Sequence, residues 1–257
     1  MTITTATIQA LRIKTDAGMM DCKRALEEAG GNMENAVKIL REKGIAKAAK
    51  RVDRVANEGL VKINVTSSDA AMLELTSETD FVSRSEKFNA LATDAIDLLS
   101  KTKSATRDEF LLAKMPNGKT VQASIDELAG ILGEKLELGR TAIISATEND
   151  AIGSYIHSNN KIGVLVVIEQ GKGQDELVKD LCMHIAATAP TVLSISDVSA
   201  SDIVKEKEIL RQQVINEGKP ETLADKIVDG KIRKYYEEVC LLEQAFVKDP
   251  EKKIKDV

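Results

Sequence analysis

A glycine-lysine-threonine triplet at residues 118–120 has residue types that could bind a phosphate group. The phosphate-binding loop that ends in this triplet needs a glycine five residues before its second glycine, and position 113 is alanine. Pro116 and Asn117 precede the triplet, and both residue types favour turns. We therefore interpret the segment as a turn and expect no nucleotide binding by this chain.

Two histidines and three cysteines are the residues that could hold a metal or act as nucleophiles. Cys182 stands two residues before His184 in a segment of helical periodicity, so the two side chains point to different faces. Zinc needs about four converging donors, and the sequence has no paired clusters of such residues. We expect no metal, cofactor or catalytic residue. A hydrolase or transferase using Cys182 or His157 stays an alternative, and a packed helix histidine is the favoured interpretation of His184.

Phe81 is conspicuous because only 3 % of the residues are aromatic and it follows an acidic one, Asp80. The segment Glu78–Val82 lies between a predicted strand and a helix whose start is marked by Ser83 or Ser85. A phenylalanine at such a junction can anchor in the pocket of a partner protein. It can equally cap the core beneath the strands, and periodicity alone favours that second interpretation.

Met19 and Met20 are adjacent in a helical segment, so both cannot face the same core. Methionine is suited to adaptable interfaces. A role in partner binding and the plain arrangement of one core and one surface side chain both stay open.

Charge and cysteine content restrict the class of protein. The net charge is -5 and the pI is near 5.4, whereas nucleic-acid binding relies on clustered Lys and Arg. The basic run 43–54 is interpreted as the exposed face of a helix. Scattered cysteines fit a reducing cytosol. No stretch approaches the ~20 apolar residues of a membrane span, and residues 1–9 lack a secretory signal. We expect a cytoplasmic protein without nucleic-acid or membrane partners.

Hydrophobic periodicity predicts a helical domain over residues 1–55, with three helices separated by turns and a connecting helix near residues 46–56. Apolar residues at spacings of three, four and seven are expected to line its core. These are Leu11, Met19, Cys22, Leu26, Ala36, Ile39 and Leu40.

Residues 56–147 and 148–198 are predicted to be two related subdomains of an α+β fold, because the order of a strand hairpin and a helix occurs twice. The predicted strands and helices are 60–65, 72–75 and 86–99 in the first copy, and 152–157, 163–168 and 175–187 in the second. A helix near residues 124–132 and a β-rich run at 141–146 lie between the copies. The run can extend either sheet.

From residue 199 to 247 the sequence predicts an antiparallel coiled-coil hairpin, followed by a tail at 248–257. Gly218-Lys219-Pro220 is expected to stop the first helix. Spacings of four and three run through Val228, Ile232, Tyr235, Val239, Leu242 and Phe246, and the first arm offers Ile203, Leu210 and Val214. A general helical adaptor that uses this hairpin is a further functional alternative.

Several segments together resemble the elongation factor Ts family. Leu11-Arg12 with the segment 15–23 resembles its amino-terminal signature, and the segment 79–82 resembles its second. Further similar segments are Gly133-Glu134, Tyr155 with His157, 162–166, 183–187 and 218–220. The resemblance covers essentially the whole chain. The sequence departs from the family at Asp16, where Gly is common, and after Phe246, where the family usually continues into a closing strand beyond this short tail.

The resemblance implies a non-enzymatic factor that binds elongation factor Tu and makes this GTPase release GDP. It implies a three-helix domain like the ubiquitin-associated (UBA) domain, a core of two α+β subdomains and a protruding coiled coil. It also implies a heterotetramer, a dimer of heterodimers, as one form of the complex. The implied contact residues are Leu11, Met19, Met20 and Lys23 for the nucleotide domain of the GTPase, Thr79, Asp80, Phe81 and Val82 around a phenylalanine wedge, and Gly133 and His157.

Overall fold

In the computed structural model, residues 3–15, 17–49, 53–218 and 220–257 are described. Asp16, Lys219 and part of the predicted connecting helix therefore lie outside the described residues. The chain divides into two compact units, one that ends at Gly173 and one from Gln174 to Val257. Helices combined with small antiparallel sheets agree with the predicted α+β class.

The first unit begins with three helices, α1 (Thr5–Thr15), α2 (Met19–Glu28) and α3 (Met33–Ala49). Their core is close to the predicted one, with five fully buried side chains: Leu11, Cys22, Ala25, Leu26 and Ala36. Met19 was assigned to this core and is 39 % exposed, because it is the first residue of α2 and lies at the end of the bundle. The helix expected up to residue 56 is absent at residues 53–56.

A three-stranded antiparallel sheet follows, in the order β1 (Glu58–Val65), β2 (Asp69–Ser77) and β3 (Leu136–Ser145). The β-rich run near residue 141 thus extends the first sheet. Four helices lie between β2 and β3: α4 (Asp80–Ser83), α5 (Glu86–Thr102), α6 (Arg107–Leu112) and α7 (Val121–Leu132). The helix predicted at 86–99 is confirmed as α5, and its apolar side contacts β1 and β2. The buried residues are Phe88, Ala92, Ala95, Ile96 and Leu99, and Leu91 is partly buried beside them.

The second hairpin, β4 (Ala151–Ile156) with β5 (Gly163–Ile168), forms as predicted and lies against the first sheet. The Val61 amide donates to the carbonyl of Asn160 in its turn at 2.7 Å. A Cβ on Gly163 would lie 2.5 Å from Val61 Cγ1 and 2.9 Å from Met72 Sδ. Only glycine therefore permits this close approach of the hairpin to β1 and β2.

The second unit contains α8 (Asp175–Thr188), α9 (Ala200–Asn216) and α10 (Glu221–Val239). Lys207 pairs with Asp229 and Arg211 with Asp225, so α9 and α10 run antiparallel. Their seam is made by Val214, Ala224 and Val228, with Leu210 and Ile227 packed beside them.

The prediction that the second helix continues to Phe246 is wrong, because α10 ends at Val239. Residues 191–193 make backbone hydrogen bonds with Val239, Leu241 and Leu242, and these replace the next helical turn. Heptad spacing describes only the side chains, so it does not reveal this competing backbone pairing.

The C-terminal residues form a small hairpin of β6 (Ala245–Phe246) and β7 (Asp249–Lys253). His184 is buried, as expected for a packed histidine, and its Nδ1 accepts the Val247 amide at 3.3 Å. Its Nε2 lies 2.9 Å from Gln244 Oε1 and therefore carries the ring proton. Lys253 and Lys255 donate to Glu243 at 3.0 and 2.8 Å. The tail is thus bonded within the second unit.

Helices α3 and α7 cross with almost no space between their backbones. A Cβ on Gly130 of α7 would lie 2.8 Å from the Cα of Gly44 in α3. The carboxylate of Glu127 lies 3.5 Å from Arg41 and also pairs with Lys119. This contact joins the N-terminal helices to the sheet-containing part of the first unit.

Replacing Gly130 with alanine should separate these helices, because the new methyl group has no room. We expect Gly130→Ala to lower stability by about 1–3 kcal/mol, and thus to lower Tm by about 2–12 °C. Gly230→Ala in α10 is the matched control, since its Cβ would meet nothing within 4 Å. That control should be neutral or slightly stabilising. Equal Tm values for wild type and Gly130→Ala, measured by circular dichroism, would show that the crossing is looser than described.

Asp69 fastens one end of the first sheet. Its Oδ2 accepts from Lys103 and Ser68 at 2.8 Å each, and its Oδ1 accepts from Ser145 at 2.8 Å. The hydrogen bond from Lys103, followed by those from the two serines, lowers the pKa of Asp69 from 3.8 to about 2. Because the folded-state pKa is depressed, this carboxylate stabilises the fold above its unfolded pKa and loses that contribution as the pH falls through the folded value.

The Asp69→Asn variant should therefore lose stability at neutral pH and show a shallower fall of Tm between about pH 4 and pH 2. Asp108→Asn is the control, because the Asp108 side chain is 90 % exposed. Thermal unfolding at a series of pH values measures both variants. The same slope in Asp69→Asn and wild type would contradict the assignment.

Candidate partner-binding site

Phe81 lies on the short helix α4, and 85 % of the residue is exposed. The next two residues, Val82 and Ser83, are buried. Of the two interpretations left open by the sequence, the structure therefore rules out Phe81 as the cap of the core. Val82 takes that place beneath it, as a member of the core of the first unit.

The backbone around Phe81 is held by side chains. Thr79 is the N-cap of α4, and its Oγ1 accepts the Val82 amide at 3.5 Å. Ser85 Oγ donates to the Val82 carbonyl at 2.8 Å. Asn89 of α5 donates to the carbonyls of Ser83 and Ser85 at 3.0 and 3.1 Å. Phe81 thus projects from a short turn whose polar groups are bonded on both sides.

Asp80 precedes Phe81 and forms an ion pair of 3.1 Å with Arg84 one turn later. Both side chains are substantially exposed, and surface pairs of this kind contribute only about 0–1 kcal/mol. A partner can therefore replace this pair at little cost. The charged groups beside Phe81 are available for recognition.

An open groove of about 640 Å³ lies beside α4. Asp80 and Arg84 line it from α4, and the turn between β4 and β5, residues 158–161, lines it from the other side. His157 stands immediately before this turn, is exposed, and has its Nδ1 3.0 Å from the hydroxyl of Tyr155. The structure therefore brings the segment around Phe81 and the residues that follow His157 to one groove.

Gly133 ends α7 in the left-handed region, with φ +82°, and its amide bonds the Ala129 carbonyl at 3.0 Å. The next residue, Glu134, turns towards Thr79. Its carboxylate accepts from the Thr79 amide at 3.0 Å and from the Thr79 hydroxyl at 2.6 Å. Sequence analysis named Glu134 only within a segment that resembles the elongation factor Ts family. It could not predict the bond to Thr79, because a contact between residues 55 positions apart leaves no local sequence pattern.

The remaining predicted contact residues belong to the N-terminal helices. Met20 is 62 % exposed, Met19 is partly exposed, and Lys23 pairs with Glu27 at 3.8 Å on the surface of α2. Leu11 is fully buried and supports the bundle. Ile13, which the sequence analysis did not select, is among the most exposed apolar residues. Residues two positions apart in a helix point to different sides, so the position of Ile13 two residues after the buried Leu11 would have predicted its exposure.

Among the residues considered for metal binding or catalysis, Cys182 and His184 are both buried. Thr120 caps α7 by accepting the Ala123 amide at 3.1 Å, so the glycine-lysine-threonine triplet ends a turn, as predicted. Within the described ranges, no three His, Cys, Asp or Glu side chains come together as a potential metal site. None of the helices in the described part of the chain combines the length and the apolar composition needed to span a membrane.

A comparison with protein families gives a match to the family described as elongation factor TS, over residues 78–257. The match covers more than half of the chain and begins three residues before Phe81. It includes Gly133, His157 and the turn at residues 158–161 that lines one side of the groove. The chain therefore belongs to the elongation factor Ts family, whose members are nucleotide exchange factors for elongation factor Tu in translation elongation.

Proposed function

We propose that this chain promotes GDP release from elongation factor Tu by a non-covalent, allosteric mechanism in which Phe81 enters the GTPase and disturbs its Mg²⁺ and phosphate site. The observation that carries the proposal is the 85 % exposure of Phe81 on a hydrogen-bonded turn. Burying a phenylalanine side chain is worth roughly 1.5–3 kcal/mol. The fold leaves this free energy unused, so it is available to a complex.

Such a factor needs no acid, base or cofactor, because no covalent bond changes. It acts by linkage: if the form of the GTPase that accepts Phe81 holds Mg²⁺ and GDP poorly, binding of the factor and binding of the nucleotide weaken each other reciprocally. Each tenfold acceleration requires about 1.4 kcal/mol of differential stabilisation. One phenylalanine therefore accounts for roughly a 10- to 100-fold effect. Other contacts supply the rest.

We assign those contacts to two surfaces. The first contains Thr79 and Asp80, which directly precede Phe81, and His157, which precedes the turn that lines the groove. It also contains Gly133, which precedes Glu134, the residue bonded to Thr79. The second consists of Met19, Met20 and Lys23 at the start of α2, which we propose to bind the nucleotide domain of the GTPase. Leu11 and Val82 are buried, so we assign them the role of supporting these surfaces from below.

We extend the proposal to the domain organisation. We interpret residues 1–55 as a UBA-like domain, and 56–147 and 148–198 as two core subdomains. The coiled-coil hairpin expected over 199–247 consists of α9 and α10 and ends at Val239. Residues 248–257 complete the terminal hairpin. We propose that the protein acts in the cytoplasm, on elongation factor Tu, without a cofactor, and that a dimer of heterodimers is one form of the complex.

Phe81→Ala is expected to slow factor-stimulated GDP release by roughly 10- to 100-fold, because the lost burial free energy belongs to the exchange complex. Stopped-flow release of a fluorescent GDP from elongation factor Tu measures the rate. Thermal unfolding should be unchanged, since the removed ring is exposed.

Leu112→Ala is the matched control, because Leu112 is also a large apolar residue with high exposure and lies on α6, which contributes no residue to the groove. Its exchange rate should equal that of wild type. A Phe81→Ala variant as fast as wild type would remove the wedge from the mechanism. A wild-type protein that leaves GDP release unaccelerated would refute the exchange function itself.

A further inference from the structure

The pairing of β2 with β3 ends at Ser77 and Leu136, directly before the segment that carries Phe81. Beyond this pair the β2–β3 hydrogen bonds stop, so the backbone amides of the two following segments need other acceptors. Two side-chain carboxylates accept these amides in place of strand carbonyls. Glu78 Oε1 accepts the Lys135 amide at 2.6 Å, and Glu134 Oε2 accepts the Thr79 amide at 3.0 Å.

The Glu134 carboxylate makes a second bond, to the Thr79 hydroxyl at 2.6 Å. Hydrogen bonds to an ionised carboxylate are roughly twice as strong as those between neutral groups. Because this hydroxyl donates its only proton to Glu134, its lone pairs are left for the Val82 amide at the N-cap of α4. Glu134 therefore fixes both the backbone of Thr79 and the cap that starts the helix bearing Phe81.

Phe81 cannot fix its own position, since most of its ring touches nothing in the protein. Its direction depends on the backbone of α4, which begins one residue after Thr79. The buried Ser77 hydroxyl donates to the Thr79 carbonyl at 2.9 Å and holds the other side of that residue. Glu134 is held in turn by α7, whose inner face is buried and whose end reverses at Gly133.

We propose that Glu134 is a positioning residue for nucleotide exchange: its carboxylate holds Thr79 so that Phe81 points outward in the orientation that the GTPase accepts. This inference rests on the exchange function proposed above. It assigns Glu134 no contact with the GTPase or the nucleotide. Its effect passes through Phe81, and this distinguishes the role from that of an ordinary interface carboxylate.

The chain offers a graded set of variants. Glu134→Ala removes both acceptors, and the rate of GDP release at saturating factor should fall about tenfold, as expected for the loss of charge-assisted hydrogen bonds. Glu134→Gln keeps one oxygen acceptor and places an amide NH₂ near one Thr79 donor, so an intermediate rate is expected. Glu137→Ala is the control, because Glu137 is a surface carboxylate three residues away that pairs with Arg107 and Lys135. Its rate should match wild type.

Hydrogen exchange of the free protein provides a readout without the partner. The Thr79 and Val82 amides should exchange faster in Glu134→Ala, while amides inside β2 and α5 keep their protection. Thermal unfolding of each variant shows whether the whole fold is affected. If Glu134→Ala does not fold, the same measurements on Glu134→Gln decide the matter.

A double-mutant cycle with Phe81→Ala gives the decisive result. If Glu134 acts through Phe81, removing its carboxylate in the Phe81→Ala background should change the rate by less than about twofold, whereas in the wild-type background it changes it about tenfold. Equal effects in both backgrounds would overturn the positioning role, as would a wild-type rate in Glu134→Ala. Failure of the proposed function looks different, because wild type itself would then leave GDP release unchanged.

Discussion

The antiparallel pairing of β2 with β3 is the interaction on which the rest of the first unit depends. It joins residues that are 59 positions apart at one end, where Ser77 lies opposite Leu136, and 76 positions apart at the other, where Asp69 lies opposite Ser145. Closing so long a loop costs conformational entropy, which the buried face of the sheet must offset. At the first end the pairing brings the turn after α7 beside Thr79. At the second it brings Ser145 to Asp69, which also accepts from Lys103 at the end of α5. Each cluster of polar bonds therefore includes groups that the pairing of β2 with β3 brings together.

Phe81 and the pair Met19 and Met20 are different kinds of exposed apolar surface. Phe81 is an aromatic side chain with two rotatable bonds on a turn that is fixed by its neighbours, so little freedom is lost when it is buried. Met19 and Met20 are flexible side chains at a helix end, where they can adapt to a partner. A rigidly held side chain suits a contact that must deform its target, because a flexible side chain would change its own conformation instead. Adaptable side chains suit a contact that provides affinity.

Local patterns in the sequence predicted much of this fold. The stripe of α5 and the strands of both hairpins follow from periodicity, because each is formed by neighbours in sequence. The partner of β3 and the end of α10 at Val239 were not predictable in this way, since each is decided by backbone bonds to a distant segment. The site shows the same division. Phe81 stands out by residue type. Its exposure could not be predicted, because it depends on whether Phe81 or Val82 enters the core. Glu134 was marked only by the family resemblance of the Gly133-Glu134 segment, and no residue pattern predicted its bond to Thr79.

Gly163 allows the second hairpin to touch the first sheet where Val61 and Met72 leave no space for a side chain. The turn carried by that hairpin lines the groove beside Asp80, although Gly163 itself does not. The width of the groove therefore depends on a missing methyl group outside it. The methyl group of an alanine at this position would push the hairpin away from β1 and β2. The groove would then widen, although all of its lining residues stayed the same. A substitution just outside a binding surface can reshape it in this way without changing its chemistry.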